Sequence, residues 1–425
     1  MTRLEAMRRI ARPEPAPRRP LLIALGLAAG PAAALGLARF AYALLLPSMQ
    51  SALHWSFATA GVMNTANAAG YLLGALTAAP IARRLGTRPV FLGGIVLTAL
   101  LLAASGTTAN LAVLLVLRLG AGTTGAFTFI VGGALAAALG HDRSGSRAVE
   151  RPALLLGVYF GGGGLGVALS GVALPALLAH TSVASGWRWG WIALGIGAAI
   201  AAVAALPAAL RAPEPGGSQR QETTRLPGLR AVLIAYTCYG AGYIAYMTFI
   251  VAYLKAGGAG TTEISVFWGI LGLAAVAGGV IWGPVLGRLR GGHGPGLLIG
   301  VVTLGALLPL ISHVMPVAFA SAALFGGAFL AVVTAVTHVA RAALPATQWT
   351  AAIAVLTTGF ALGQCIGPVL SGVLADQPGG IKAGLSLSVI ILAAAAAICL
   401  AHRPHAVVDH STFAPMRARP PRPGG

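Results

Sequence analysis

Twelve long apolar runs, parted by short charged or turn-forming gaps, organise the chain; they lie at 21–48, 58–80, 89–105, 110–139, 153–179, 189–210, 230–254, 264–287, 295–313, 316–340, 349–375 and 382–401. The hydrocarbon core of a bilayer takes ~20 apolar residues per helix, so each run predicts one membrane-spanning helix. Composition agrees: 57% of residues are apolar and 9% charged, against about 25% charged in a soluble domain. A water-soluble fold is excluded, and an all-α membrane protein is predicted.

The gaps alternate in charge. Arginines crowd segments 3–19, 83–88, 143–151, 211–230, 288–290 and 403–422 together with Arg341, whereas the intervening gaps hold only Arg188, Lys255 and Lys382. Short loops rich in Lys and Arg stay on the cytoplasmic face. This places both termini in the cytoplasm and the chain in a bacterial-type inner membrane. The formal net charge of +19 would mark a nucleic-acid site if it clustered on one domain. Scattered among short loops, it orients the helices and adds a modest attraction to anionic lipid. The expected partners are the lipid bilayer and a small-molecule substrate, with no nucleic acid, and the chain is expected to be a monomer. The basic start, the apolar stretch 21–30 and the small residues 32–34 share features with a secretory signal. The apolar run continues to Leu46, which favours an uncleaved first helix. Cys238, Cys365 and Cys399 all fall inside predicted spans, as small core hydrophobes with no disulfide framework.

An internal repeat divides the chain. Gly166-Val-Ala-Leu-Ser-Gly-Val172 in the fifth span matches Gly367-Pro-Val-Leu-Ser-Gly-Val373 in the eleventh, at an offset of 201 residues. Gly36-Leu-Ala-Arg-Phe-Ala-Tyr42 in the first span is echoed by Gly240-Ala-Gly-Tyr-Ile-Ala-Tyr246 in the seventh, at an offset of 204. Two echoes at nearly equal offsets predict two six-helix pseudo-repeats. The expected organisation is a cytoplasmic N-terminal segment (1–20), a six-helix bundle (21–210), a polar, Pro/Gly-rich cytoplasmic linker (211–229), a second bundle (230–402) and a cytoplasmic tail (403–425). Six-helix repeats are one way in which alternating-access carriers place a site at mid-membrane.

From 21 to about 402 the chain resembles the major facilitator superfamily. The segment Ala79-Pro-Ile-Ala-Arg-Arg-Leu-Gly-Thr-Arg88 is similar to that superfamily's Gly-x-x-x-Asp-Arg-x-Gly-Arg-Arg/Lys loop; Arg84, Gly86 and Arg88 match, and Arg83 stands at the acidic position. Arg118-Leu-Gly-Ala-Gly-Thr-Thr-Gly-Ala126 is similar to its fourth-span Arg-x-x-x-Gly-x-x-x-Ala pattern. The first-span segment together with Asn67-Ala-Ala-Gly-Tyr-Leu-Leu-Gly looks most like the bacterial YbfB/YjiJ-type branch. The resemblance implies the major facilitator fold, with spans one, four, seven and ten lining a central cavity; the loop Arg83, Arg84, Gly86, Arg88 is expected to act as an inner gate hinge, because Gly86 lets the chain turn while the arginines stay at the inner surface.

Candidate site residues are the polar and aromatic side chains inside spans. An arginine at the centre of a helix costs at least ~2.5–3.5 kcal/mol on insertion scales, so Arg39 needs compensation. It either snorkels or binds a neighbouring helix, or it serves the cargo. Asn67, level with it, is the candidate partner and Asn64 the next. Arg118, about 12 Å from the outer start of its span at 1.5 Å per residue, is either a strut bonding neighbouring carbonyls or a second charge in the cavity. Tyr236, Tyr239, Tyr243 and Tyr246 fall within an arc of about 80° on one helix face, as packing or as a recognition surface. Tyr42 belongs to the echoed first-span segment, and Gln364, isolated in the eleventh span, suits a helix–helix hydrogen bond.

The leading function is a secondary active or facilitative transporter that moves a small organic solute by alternating access. In its sharpest form Arg39 and Arg118 select an anionic solute while the tyrosine face packs its apolar part. A proton-coupled drug or metabolite efflux antiporter is the first alternative; it calls for a carboxylate deep in the spans, and Glu263 and Asp376 reach only predicted outer ends. The alternative of another class is a membrane-embedded enzyme. The chain lacks His-Glu-x-x-His, Gly-x-Ser-x-Gly and a phosphate-cradling Gly-x-x-x-x-Gly-Lys, so no catalysis, metal or cofactor is expected.

Overall fold

A computed structural model describes residues 20–140, 152–214, 228–345 and 348–402. The segment before Pro20, loop 141–151, linker residues 215–227 and the tail from 403 lie outside the described residues, as do the expectations that fall on them. The described chain folds into helices without strands. In order they are α1 Pro20–Leu53, α2 Phe57–Leu85, α3 Thr87–Ser105, α4 Leu111–Ala138, α5 Pro152–Ala179, α6 Gly186–Arg211, α7 Arg230–Ala256, α8 Thr261–Leu286, α9 His293–Ile311, α10 Met315–Ala343, α11 Trp349–Ala375 and α12 Gly380–Ala401. Each matches one apolar run to within a few residues. By length and composition 11 candidate spans are apolar enough to cross a bilayer. The remaining helix, α2, is as long but carries Asn64, Thr65 and Asn67.

Short polar residues set the helix starts. Ser56 accepts from Thr59 N at 3.1 Å to cap α2, and Asn110 accepts from Val113 N at 3.2 Å to cap α4. At the head of α8 the Glu263 carboxylate accepts from Gly260 N at 2.8 Å. Between α2 and α3 the chain turns at Gly86, whose φ of 90° and ψ of 151° only glycine adopts without strain.

The repeated glycines explain how the two six-helix halves meet. A Cβ on Gly171 of α5 would approach Trp268 of α8 to 2.9 Å, and one on Gly372 of α11 would approach Ala58 of α2 to 2.9 Å. The same Ser-Gly pair of each repeat thus faces the second helix of the opposite half. Without a side chain at these points α11 packs on the backbone of α2, and α5 packs on the Trp268 side chain, the close approach that small residues permit in membranes. The halves touch along α5–α8 and α2–α11, and along the stretch Tyr42–Leu53 of α1 against α7.

Polar bridges between the halves gather on the side where α1 ends, away from the arginine-bearing loops. Asp376, just past α11, accepts from Phe57 N at 2.8 Å and Ala58 N at 2.9 Å, the two free donors that open α2. Thr65 donates to Cys365 O at 2.6 Å, Asn64 to the Thr248 hydroxyl, and the Trp268 indole to the Ser170 hydroxyl at 3.2 Å. On the basic side Arg88 donates to Ala212 O at 2.6 Å and pairs with Glu214 at 3.4 Å, which fastens the α2–α3 loop to α6 of its own half.

Candidate functional site

The site begins with an irregularity in α1. Pro31 has no N–H to give to the helical ladder, and the following residues, Ala32–Phe40, form a π-helix with Ala41 N donating to Gly36 O at 3.0 Å. A π-turn widens the helix and re-aims the side chains it carries, a frequent device at functional sites. Arg39 stands in the last turn of this segment.

Arg39 is 4% exposed. Its Nη2 donates to Gln364 Oε1 of α11 at 2.6 Å, and its guanidinium lies 5.0 Å from the centre of the Tyr71 ring. Its Nε has no partner, and no carboxylate pairs with it among the described residues. Gln364, fully buried, donates its other amide atom to the Tyr243 hydroxyl on α7. A continuous polar chain therefore runs from α1 through α11 to α7. Its ends, Arg39 and Tyr243, occupy equivalent positions of the two repeats.

This corrects the expected partner of Arg39. Asn67 donates instead to Arg118 O at 3.2 Å, and Asn64 to Thr248. Asn67 is level with Arg39 on a regular helix, but Arg39 stands in the π-segment and bonds Gln364 of α11.

Arg118 sits elsewhere in the first half. Its Nη1 donates to Ala38 O in the π-segment and its Nε to Met63 O at 3.4 Å. Its guanidinium lies 5.1 Å from the Tyr42 ring centre and 5.3 Å from that of Trp191. Tyr42 in turn donates to Ala60 O at 2.9 Å. Arg118, Tyr42, Asn67 and Trp191 thus form one bonded group among α1, α2, α4 and α6, with Arg118 at 0% exposure.

The tyrosine face of α7 is partly divided. Tyr236, Tyr239 and Tyr243 lie parallel to Phe360 of α11, with centroid distances of 4.5, 5.9 and 5.6 Å and interplanar angles of 11°, 14° and 5°. Tyr239 is anchored by donating to Phe329 O at 2.6 Å. Tyr246 turns away, stacking on Phe325 at 4.3 Å with its hydroxyl 2.7 Å from that of Ser321. The structure therefore brings together Arg39, Gln364, Tyr243, Tyr239 and Tyr236, and adds Tyr71, Phe360 and Phe329, which sequence reasoning did not single out. Their apolar or isolated character carries no sequence signal; only the fold makes them neighbours.

Arg83 and Arg84 end α2 exposed, beside Gly86 and the fastened Arg88. A cavity of about 140 Å³ lies at the far-side mouth of the second half, lined by Tyr253, Glu263 and His313 among others, and is separate from the Arg39 cluster. Among the described residues no group of three His, Cys, Asp or Glu side chains could hold a metal. What the Arg39 cluster offers is a desolvated guanidinium with a free N–H beside flat aromatic rings, an arrangement suited to binding.

A profile of the family described as "Uncharacterised MFS-type transporter YbfB" matches residues 31–400. No curated protein matches the chain. Among solved structures, a bacterial homologue of the human lysosomal transporter Spinster, inward-facing and occupied, superposes with a TM-score of 0.67 at 15% identity, covering 92% of this chain and 97% of that one. The unoccupied inward-facing form of that protein gives 0.63 at 16% identity, covering 91% and 97%. The nucleoside transporter NupG gives 0.66 at 14% identity, covering 89% and 98%. The twelve helices, their pairing across two repeats and the family match over nearly the whole chain lead to one assignment: this multi-pass membrane protein belongs to the YbfB-type family of major facilitator transporters.

Proposed function

We propose that the chain is an alternating-access carrier of the bacterial inner membrane, acting as a monomer in the bilayer, and that its cargo is a small organic anion with a flat apolar body. One observation carries this reading: Arg39 is a nearly fully buried guanidinium, held only by a neutral amide and a ring face, with an N–H left over. A guanidinium binds carboxylate through paired, charge-assisted hydrogen bonds. Arg118 also has an unpartnered atom, Nη2, but it holds two backbone carbonyls where Arg39 makes a single bond to a side chain, so its part is to brace α1 and contribute positive potential. The tyrosine–Phe360 slab supplies the apolar wall.

A thermal-shift screen of purified protein against organic anions tests the reading. Ligand at 100 times its Kd stabilises the folded state by ~2.7 kcal/mol. Anion-dependent stabilisation that disappears in Arg39→Gln is expected; a panel in which no anion stabilises the wild type would remove the proposal.

With the basic loops in the cytoplasm, the polar bridges between halves lie on the periplasmic side, which suits a carrier closed to the periplasm. A reporter fused after Arg220 should be active only in its cytoplasmic form; periplasmic activity would reverse the topology. The Asp376 contact acts as the periplasmic latch in this scheme. An anion at a helix N-terminus is worth ~0.3–1 kcal/mol at the surface, so Asp376→Ala should raise the outward-open population several-fold. Spin labels at Ser51 and Gln377 would read this as a longer distance, and an unchanged distribution would strip Asp376 of the latch role. At the basic side, Gly86→Val forces a β-branched residue to a φ of 90°, at ~1–3 kcal/mol of strain. Exchange between states should slow, whereas normal transport at normal expression would take the gate role from this loop.

A further inference from the structure

We propose that Gln364 is a positioning residue that occupies the anion's place on Arg39 in the empty carrier and is displaced when the anion binds. This rests on the reading of Arg39 as the anion anchor and gives the site its switch.

The orientation of the Gln364 amide is fixed by its neighbours. Arg39 has only donors, so the atom 2.6 Å from its Nη2 is the amide oxygen, and the amide nitrogen then points at the Tyr243 hydroxyl. The carbonyl oxygen therefore sits where an oxygen of a bound carboxylate would accept from the same guanidinium. It is also the sole polar link between Arg39 and the second half among the described residues.

The choice of a neutral amide decides the balance. The bond to Gln364 is ionised on the donor side alone and uses one oxygen, whereas a carboxylate adds a full opposite charge and a second oxygen for paired bonds, so a carboxylate outcompetes the Gln364 oxygen while still having to displace it. A carboxylate at this position would instead pair permanently with Arg39 and exclude cargo. A side chain with no acceptor would leave the guanidinium open.

Displacement has a mechanical result. Once Oε1 leaves Arg39, α11 loses its central tie to α1 and keeps its tie to Tyr243 on α7, both in the second half. Cargo binding thus exchanges a bond between halves for a bond between one half and the solute. The remaining polar links between the halves among the described residues then lie at the periplasmic end, at Asn64–Thr248, Thr65–Cys365, Trp268–Ser170 and Asp376. The site also fixes the class of cargo: a carboxylate borne on a planar ring, able to meet Arg39 at one end and lie against Tyr71, Tyr243 and Phe360.

The test uses the full-length protein in detergent with benzoate as the probe, and three variants: Gln364→Glu, Gln364→Met and Arg39→Gln. Gln364→Glu should melt above wild type, and this gain should vanish in the Arg39→Gln background. Its benzoate affinity should fall by at least ~10-fold, the factor that a difference of about 1.4 kcal/mol produces. Gln364→Met, which removes the competing acceptor, should bind benzoate several-fold more tightly than wild type while melting lower. A residue serving only as glue between helices would lower stability in both variants and leave affinity unchanged. Equal benzoate affinity in wild type, Gln364→Glu and Gln364→Met would overturn displacement while leaving the anion reading intact. Benzoate that stabilises neither wild type nor Gln364→Met would overturn the anion reading and displacement together.

Discussion

Arg39→Gln protein is expected to bind organic anions ~10–100-fold more weakly than wild type, since a hydrogen bond to a charged group contributes ~1.5–3 kcal/mol and each 1.4 kcal/mol is a factor of ten. Arg39→Lys should fall between the two. It keeps the charge but replaces a rigid fork with a point donor that cannot hold two carboxylate oxygens at once. The fold should survive both changes, because Arg39 makes one side-chain hydrogen bond and one ring contact. Titration of folded variants is the measurement that counts, and wild-type affinity in Arg39→Gln would refute the anchor.

Arg118 should behave in the opposite way. Its guanidinium satisfies Ala38 O inside the π-segment and Met63 O on α2 while lying over Tyr42 and Trp191. Arg118→Leu removes two hydrogen bonds from a charged donor to these carbonyls, and each such bond contributes ~1.5–3 kcal/mol. A loss of ~3–6 kcal/mol is expected, seen as a marked fall in melting temperature and in folded yield. Anion affinity of the protein that does fold should stay close to wild type. A variant that melts like wild type but no longer binds anions would exchange the roles of the two arginines.

The spans and their division into two repeats were legible because they depend on local quantities. Run length fixed each helix, and the echoed Ser-Gly at Gly171 and Gly372 marked positions that face the other half. Gln364 was legible as a helix–helix bond but not as the partner of Arg39, from which it is separated by 325 positions. The adjacent asparagines looked better placed because the argument used a regular helix. The π-segment that overturns it has Pro31 and Gly36 as its local ingredients, and neither implies a π-turn without the packing of Gly36 against Gly166. The break of α10 at Leu330 was likewise unmarked. Tyr246 left the shared face because Ser321 and Phe325 offered it a hydroxyl and a ring on α10.

That no carboxylate pairs with Arg39 among the described residues has an electrical consequence. In the proposed orientation the empty site is a positive charge lodged within the membrane field, where 100 mV acts on one elementary charge carried across the full width by ~2.3 kcal/mol. An inside-negative potential therefore holds the unloaded carrier toward the cytoplasm. A bound monoanion cancels the charge of Arg39 and removes that bias from its contribution. Voltage then distinguishes the loaded carrier from the empty one without a proton or a sodium ion, and the return of the empty carrier becomes the current-carrying limb of the cycle.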